Sequence, residues 1–294
     1  MSLWHDISGA ISTATGNQFH CQEQQASGGG CINNTYTVRY GDRAYFVKLN
    51  SARLSEMFAA EAEGLNEIAA SSTIRVPEVI CYGSSGNQSY LVLEHIVLGH
   101  GDSASHEQLG RDLAQMHRYC ADRFGWHRDN TIGSTPQLNA ESNDWLTFWR
   151  EQRLAFQLHL AAQNGYTGRL QNLGEQLLPG IDVFFTSYTP AASLLHGDLW
   201  SGNYGFSQDG TPLLYDPAVY YGDRETDLAM TELFGGFNSS FYRAYEESYP
   251  LDTGYPQRKT LYNLYHVLNH LNLFGGGYLS QAESMLGQLV AEIR

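Results

Sequence analysis

Three polar side chains in the second half of the chain have the types and spacing of a phosphoryl-transfer site. Asn203 follows Asp198 by five positions, and Asp216 follows Asn203 by thirteen. In phosphoryl transfer, one aspartate orients the attacking hydroxyl, while an asparagine and a second aspartate hold Mg²⁺ on nucleotide phosphates. The sequence therefore predicts Asp198 as the catalytic group and Asn203 and Asp216 as Mg²⁺ ligands. The alternative is that all three side chains cap turns.

The segment around Asp198 has the spacing of a protein-kinase catalytic loop. It reads His196-Gly197-Asp198-Leu199-Trp200-Ser201-Gly202-Asn203, which contains H-x-D-x-x-x-x-N with Gly197 where arginine is usual. His196 is expected to hold the loop by hydrogen bonding rather than to take part in the chemistry. Residues 207–210, Ser-Gln-Asp-Gly, predict the tip of a hairpin between this loop and Asp216.

A glycine-rich segment near the N-terminus predicts a contact with the phosphates of ATP. It reads Ser27-Gly28-Gly29-Gly30-Cys31-Ile32-Asn33. Consecutive glycines let backbone N–H groups approach phosphate oxygens without obstruction by side chains. No Gly-Lys-Ser/Thr follows, so the segment is not a Walker A motif. We expect Gly28, Gly29, Gly30 and Cys31 to bind the nucleotide; an ordinary loop is the alternative.

Lys48 and Glu61 form the second half of the predicted nucleotide site. Lys48 lies in the otherwise apolar or aromatic run 45–49, where a charged side chain needs a partner or a ligand. Glu61 falls on the apolar stripe of a helix predicted over 53–70, so it should be paired. A strand lysine held by a helix glutamate positions phosphates in protein kinases. The alternatives are an edge-strand Lys48 that faces water and a Glu61 at the exposed margin of its stripe.

The distribution of elements predicts a bilobal α+β fold with the chemistry at the seam. Residues 1–97 form a nucleotide-binding lobe with a small antiparallel sheet and one helix, and residues 98–294 form a mainly helical catalytic and acceptor-binding lobe. Where the chain crosses between them, backbone groups of Glu94 and Ile96 are expected to hydrogen-bond an adenine edge. The predicted strands are 35–40, 44–49, 76–82 and 89–96, and the predicted helices beyond 53–70 are 106–124, 143–163, 168–188, 226–249 and 257–272.

Composition limits the partners of the chain. A net charge of −14 disfavours nucleic acid and anionic membranes as partners and is compatible with a cationic substrate. The alternative is that the charge only keeps the protein soluble. No apolar run approaches the roughly 20 residues of a membrane span, and the first residues lack the pattern of a signal peptide, so we expect a cytoplasmic protein. The four cysteines are scattered, which argues against a zinc site or a disulfide scaffold.

Longer strings resemble the fructosamine kinase (ketosamine-3-kinase) family. This family belongs to the aminoglycoside-phosphotransferase branch of the protein-kinase-like fold. His-Gly-Asp at 196–198 marks only the broad superfamily, whereas the Leu-Trp-Ser-Gly-Asn that follows is more specific. The resemblance covers nearly the whole chain. Its other strings are Gly-Gly-Gly-Cys-Ile-Asn at 28–33 and the segments 58–65, 222–230, 233–237 and 268–275.

The resemblance implies phosphorylation of the sugar 3-hydroxyl of ketosamines, with ATP and Mg²⁺ as cofactors. The acceptors are fructosamine or ribulosamine adducts of amines or of protein lysines. In related enzymes the phosphate destabilises the adduct and the amine is recovered, which is a deglycation repair. A ketosamine carries a cationic amine, in keeping with the acidic balance of the chain.

Five residues are candidate acceptor contacts on this resemblance. Asp223, Glu225 and Asp227 could contact the amine, although for Asp227 a structural role as the anchor of the catalytic loop or as a helix cap comes first. Trp200 could stack on a sugar face or pack in the core. Trp126, in the polar-aromatic loop 125–130, is expected to form a wall of the acceptor site.

Cys31 is a candidate for redox control. A thiol beside phosphate-binding N–H groups lies in positive potential, which favours the reactive thiolate. Oxidation there would block the nucleotide or link two chains, so the protein is expected to be a monomer or a redox-sensitive dimer. The alternative is an inert small residue.

Three rival functions are compatible with parts of the pattern. One is another small-molecule kinase of the same fold with an aminoglycoside, choline or amino-alcohol acceptor. A second is a nucleotide-binding module without catalysis, which the joint presence of Lys48, Glu61 and Asp198 disfavours. A third is a metallohydrolase, but the sequence has no second histidine-rich ligand cluster.

Overall fold

The computed structural model describes residues 2–28 and 32–294, and it confirms the α+β class. The N-terminal part is a five-stranded antiparallel sheet of order β1-β2-β3-β5-β4 with a helix on each face. Its elements are α1 (Leu3–Thr15), β1 (Glu23–Ser27), β2 (Asn34–Tyr40), β3 (Arg43–Ser51), α2 (Ser55–Ala70), β4 (Val79–Ser85) and β5 (Gln88–Glu94).

The alternation of β3 decides where Lys48 points. This strand is the middle one of the sheet, and Lys48 lies opposite Thr35 of β2 and Leu91 of β5. Val47 and Leu49 pack on the α1 side, so Lys48 points to the α2 side. The edge-strand alternative for Lys48 is therefore wrong.

The prediction of one helix in the N-terminal lobe is wrong, because α1 is a second one. Its buried residues Ile7 and Ile11 pack against the face of the sheet opposite α2. The apolar stripe is short and is interrupted by Ser, Gly and Thr, which are poor helix formers. Packing on the sheet, rather than local propensity, stabilises this helix.

The C-terminal part is mainly helical, and in the described residues it has three pairs of short strands, of which β8–β11 and β9–β10 flank the predicted catalytic loop. Its helices are α3 (Ser103–Met116), α4 (Trp145–Trp149), α5 (Phe156–Gln163), α6 (Arg169–Leu177), α7 (Glu225–Leu233), α8 (Ser239–Ser248), α9 (Tyr255–Phe274) and α10 (Leu279–Glu292). Its strands are β6 (Asn130–Ile132), β7 (Thr135–Gln137), β8 (Ser193–Leu195), β9 (Tyr204–Phe206), β10 (Pro212–Leu214) and β11 (Tyr220–Gly222).

Several helix boundaries differ from the predictions. The helix predicted over 226–249 is two helices, α7 and α8, because Gly235 and Gly236 adopt φ values of 94° and 73° that end a right-handed helix. The helix predicted over 106–124 ends at Met116, and α10 was not predicted. A π-helical turn, Arg150–Ala155, joins α4 to α5. The hairpin tip at 207–210 is confirmed between β9 and β10.

The two parts share one hydrophobic core. The α2 face of the sheet packs into the same cluster as the C-terminal helices, whereas the α1 face has its own small cluster. The division at residue 97 stays a prediction; it falls between β5 and α3. In the described ranges, every helix is too short or too polar to cross a bilayer.

Candidate active site

The predicted catalytic loop, residues 196–203, leaves β8 and runs into β9. Gly197 has a φ of 82°, and a Cβ at this position would lie 2.1 Å from the carbonyl oxygen of Ala218. Only glycine adopts this conformation without strain and fits against that backbone. This explains why a glycine replaces the arginine that protein kinases usually have.

Asp227, near the start of α7, anchors the beginning of the loop. Its carboxylate accepts hydrogen bonds from the backbone N–H groups of His196, at 2.7 Å, and Gly197, at 2.8 Å. Its third partner is Nε2 of His117, at 3.2 Å, so His117 carries its proton on Nε2 and accepts from Tyr245 on Nδ1, at 2.8 Å. Burial favours a raised pKa for Asp227, but the hydrogen bonds that its carboxylate accepts from His117 and from the backbone N–H of Gly197 help to hold the pKa below its ordinary value.

The anchor makes Asp227→Asn a test of how the loop is held. An asparagine side chain has only one acceptor oxygen. Its NH₂ group, which is a donor, would therefore lie opposite another donor, either a backbone N–H group of the loop or Nε2–H of His117. We expect a loss of about 1–3 kcal/mol in the free energy of unfolding, measured by urea denaturation. The matched control is Asp42→Asn in the exposed β2–β3 turn, for which the change should stay within about 0.5 kcal/mol. Equal stability of the two variants would contradict the anchoring role.

Asp198 lies beside Asn203 within the loop. The Asn203 Nδ2 group donates to the backbone oxygen of Asp198 at 2.9 Å and approaches its carboxylate at 3.3 Å. Burial raises the pKa of Asp198 to about 7, and the charge of Asp216 adds to this rise. A carboxylate with a pKa near neutrality is suited to take a proton from an attacking hydroxyl.

Lys48 and Asp216 bring the two halves of the chain together. The Lys48 ammonium lies 2.5 Å from a carboxylate oxygen of Glu61 and 2.5 Å from one of Asp216. The side chains of Lys48 and Glu61 are 4% and 9% exposed, whereas that of Asp216 is 46% exposed and faces solvent. Burial lowers the pKa of Lys48, but the charges of Asp216 and Glu61 outweigh it, so the pKa is raised and Lys48 stays protonated.

Asp216 has a backbone conformation that fits a functional position. Its φ of 59° is left-handed, which is uncommon for residues other than glycine and is concentrated at functional sites. The residue lies two positions after the end of β10, and Pro217 follows it. This turn directs the carboxylate toward Lys48 instead of along the strand.

The donor set at the seam fits Mg²⁺ better than a transition metal. The hydrogen bonds of Asn203 use its amide nitrogen, so its oxygen is available as a hard ligand. One Asp216 oxygen contacts Lys48 and leaves the other for a cation. Across residues 2–28 and 32–294, no group of three or more His, Cys, Asp or Glu could hold a metal ion. A site with two protein oxygens plus phosphates is typical of Mg²⁺, and the metallohydrolase alternative has no ligand cluster in these ranges.

The predicted nucleotide contacts outside this cluster are only partly described. Gly28 is exposed at the end of β1, while Gly29, Gly30 and Cys31 lie outside the described residues. The backbone N–H of Glu94 donates to Glu78, and its side chain pairs with Arg75 at 2.7 Å. Adenine binding by Glu94 and Ile96 stays a prediction.

The structure gives Asp223 and Glu225 internal roles instead of the predicted contact with a substrate amine. Both are fully buried. Asp223 accepts from the hydroxyls of Tyr188, at 2.9 Å, and Tyr262, at 2.5 Å, and Glu225 makes a two-point ion pair with Arg258. Their partners lie 33 to 39 positions away in sequence, so local patterns gave no signal of them.

The two candidate tryptophans have different environments. Trp126 is 4% exposed and belongs to the hydrophobic core, which leaves little of its ring for a contact with a substrate, and its place in a wall of the acceptor site stays a prediction. Trp200 is 39% exposed, and its ring lies over Gly202, where a Cβ would come within 2.3 Å of it. Trp200 is therefore partly exposed, two positions after Asp198, and stays a predicted sugar contact.

Matches with known sequences cover nearly the whole chain. The family model described as fructosamine kinase matches residues 3–292. A Synechocystis protein named a probable ketoamine kinase is 49% identical over 97% of this chain and 96% of its own. A chloroplastic protein-ribulosamine 3-kinase of Arabidopsis thaliana is 42% identical over 88% of this chain and 80% of its own.

Solved structures agree with the sequence matches. A crystal structure from Haemophilus somnus 129PT, provisionally described as a fructosamine-3-kinase, has a TM-score of 0.90 at 28% identity and covers 98% of this chain and 99% of its own. The aminoglycoside phosphotransferase APH(4)-Ia, in complex with AMP-PNP and hygromycin B, has a TM-score of 0.64 at 15% identity over 98% of both chains, a likeness of fold alone. The chain belongs to the fructosamine kinase family of phosphotransferases.

Proposed function

We propose that the chain transfers the γ-phosphate of ATP to the 3-hydroxyl of ketosamines, with Mg²⁺ as a cofactor. The observation that carries this proposal is the contact of Lys48 with both Glu61 and Asp216, which joins residues 168 positions apart across the seam of the two lobes. The family and the names of the relatives support the acceptor class.

Each residue has a distinct role in the proposed reaction. Lys48, held by Glu61, binds phosphate oxygens of the nucleotide, and Asn203 and Asp216 hold Mg²⁺, which neutralises charge on the phosphates. Asp198 orients the acceptor hydroxyl and takes its proton. A bond forms between the hydroxyl oxygen and the γ-phosphorus, the bond from that phosphorus to the β–γ bridging oxygen breaks, and ADP leaves.

The biological consequence we infer is deglycation. A phosphate at the 3-position destabilises the link between sugar and amine, so the amine is released from the adduct. The acceptor is a free or protein-linked fructosamine or ribulosamine. The net charge of −14 favours such cationic acceptors, although the carboxylates of Asp223 and Glu225 are already paired within the protein.

An acceptor panel tests the proposal. ADP release would be measured with fructosyl-lysine, ribulosyl-lysine, the free sugars and an aminoglycoside at equal concentrations. We expect kcat/KM for a ketosamine to exceed that for the free sugar by at least roughly tenfold, since the amine adds binding energy that a free sugar lacks. Preference for the aminoglycoside would favour another small-molecule kinase of this fold. ADP release that no acceptor stimulates would contradict the acceptor class.

A further inference from the structure

Helix α2, which carries Glu61, is held to the C-terminal lobe by side chains from the loop before β6. The two terminal nitrogens of Arg128 contact two different α2 glutamates, Glu63 at 2.7 Å and Glu56 at 2.8 Å. His127 adds a contact to the second oxygen of Glu63, at 3.0 Å. The loop that was expected to form a wall of the acceptor site therefore contacts the nucleotide-binding lobe.

A second contact holds the C-terminal half of α2. The hydroxyl of Tyr221, on β11, donates to the carboxylate of Glu67 at 2.6 Å. Tyr221 is 9% exposed and Glu67 is half-buried, so this hydrogen bond is partly shielded from water. Between the two contacts Gly64 lies against Val219, where a Cβ would come within 3.1 Å of the valine side chain. We call the contacts of Arg128, His127 and Tyr221 with α2 the interlobe clamp.

The clamp and the Lys48 pair use different faces of α2. With 3.6 residues per turn, Glu56, Glu63 and Glu67 lie within one narrow stripe of the helix. Glu61 lies roughly a third of a turn away, on the face toward Lys48. A rotation or displacement of α2 would therefore break the clamp and, at the same time, move Glu61 away from Lys48.

The contacts of the interlobe clamp differ in how strongly water and salt weaken them. Glu56 is 86% exposed, so its pair with Arg128 is strongly screened by water and salt. Glu63 is 37% exposed and Arg128 is 21% exposed, so their pair is better shielded, and Arg128 holds both glutamates with one planar group. The partly buried Tyr221–Glu67 hydrogen bond involves neither Arg128 nor His127, so it is independent of these ion pairs.

We propose that Arg128 and Tyr221 are positioning residues that fix α2 so that Glu61 holds Lys48 within reach of the nucleotide phosphates. In protein kinases the placement of the corresponding helix is a point of control. Here side chains of the same chain hold the helix in place, so the Lys48–Glu61 pair is assembled without a second protein or a phosphorylation. The inference rests on the proposed role of Lys48.

The direct test compares Arg128→Met, Tyr221→Phe and the double variant with the wild type, measuring kcat and both KM values. We expect the KM for ATP to rise by roughly tenfold in the double variant, because a small misplacement of Lys48 is costly, while the KM for the acceptor stays unchanged. Arg128→Lys should recover part of the loss, since it keeps the charge but not the two-point geometry. The matched control is Arg123→Met, an exposed arginine that pairs with Glu141 rather than α2. An unchanged KM for ATP in the double variant would overturn the proposal.

A double-mutant cycle distinguishes positioning from a general effect on stability. If the clamp acts through Glu61, Arg128→Met should have little further effect on the KM for ATP in a Glu61→Gln background. Fully additive effects would overturn the proposal. Lys48→Met distinguishes a failure of the proposed function from a failure of the clamp proposal. If Lys48→Met is active, the proposed nucleotide site is contradicted. If Lys48→Met is inactive but the Arg128→Met/Tyr221→Phe variant has an unchanged KM for ATP, only the clamp proposal is contradicted.

Discussion

The Asp198→Asn variant is expected to lose about 10²–10⁴-fold in kcat, the range for removal of a general base, while its KM for ATP stays close to that of the wild type. Asparagine has nearly the same size but cannot accept the proton of the acceptor hydroxyl. The groups assigned to the nucleotide, Lys48 and Asp216, are unchanged. Steady-state kinetics with a ketosamine acceptor would measure both constants.

The control for this variant is Asp122→Asn, an exposed aspartate in the same lobe. Its kcat should equal that of the wild type, because it lies outside the catalytic loop. Circular dichroism and thermal melting would establish that both variants are folded. If Asp198→Asn kept kcat within a few-fold of the wild type, the assignment of Asp198 would be wrong, and a nucleotide-binding role without catalysis at this residue would regain support.

Lys48→Met is the second large expected effect, and it acts on both catalysis and stability. Loss of a preorganised charge at a transferring phosphoryl group is expected to reduce kcat/KM for ATP by about 10²–10³-fold. The substitution also leaves Glu61 buried without its partner, which costs about 3–5 kcal/mol of folding free energy. Kinetics and urea denaturation together would measure the two effects.

A compensating variant separates these two effects. Lys48→Met/Glu61→Gln removes the unpaired buried charge, so we expect much of the stability to return while kcat/KM for ATP stays low. Lys259→Met is the matched control, because Lys259 forms a partly exposed ion pair with Glu232 and its loss should affect neither property by much. Recovery of activity in the double variant would show that Lys48 serves the fold rather than the nucleotide.

The sequence was sufficient to predict that Lys48, Glu61 and Asp216 lie together, because the pattern that indicates each residue is either local or periodic. Alternation within β3 separated Lys48 from its apolar neighbours, and helical periodicity placed Glu61 on a buried stripe. The fixed spacing of Asp198 and Asn203 belongs to one loop. These features need no knowledge of tertiary contacts, and the structure brings Lys48, Glu61 and Asp216 together as the order of the motifs indicated.

The sequence was misleading where a charged side chain is paired over a long distance. An acidic residue after a strand fits a substrate contact or an internal ion pair equally well, and only the position of Arg258 on α9 decides the case of Glu225. Arg128 gave no signal either, because its partners Glu56 and Glu63 lie in another lobe and more than 60 positions earlier. Helix α1 was missed for a related reason, since its stability comes from the sheet beneath it.

The two anchoring systems act on different parts of the site. Asp227 holds the start of the catalytic loop through His196 and Gly197. The interlobe clamp holds α2 and thereby the Lys48–Glu61 pair. We therefore expect substitutions at the first to affect mainly kcat and stability, and substitutions at the second to affect mainly the KM for ATP.

Identification of the product tests the central claim most directly. The wild-type protein would be incubated with ATP, Mg²⁺ and fructosyl-lysine, and the phosphorylated position would be mapped by ¹H–³¹P correlation NMR. The account predicts a sugar phosphate at the 3-position, formed in equal amount to ADP and at least about 10²-fold more slowly with Asp198→Asn. Phosphate at another position, or only inorganic phosphate, would contradict it.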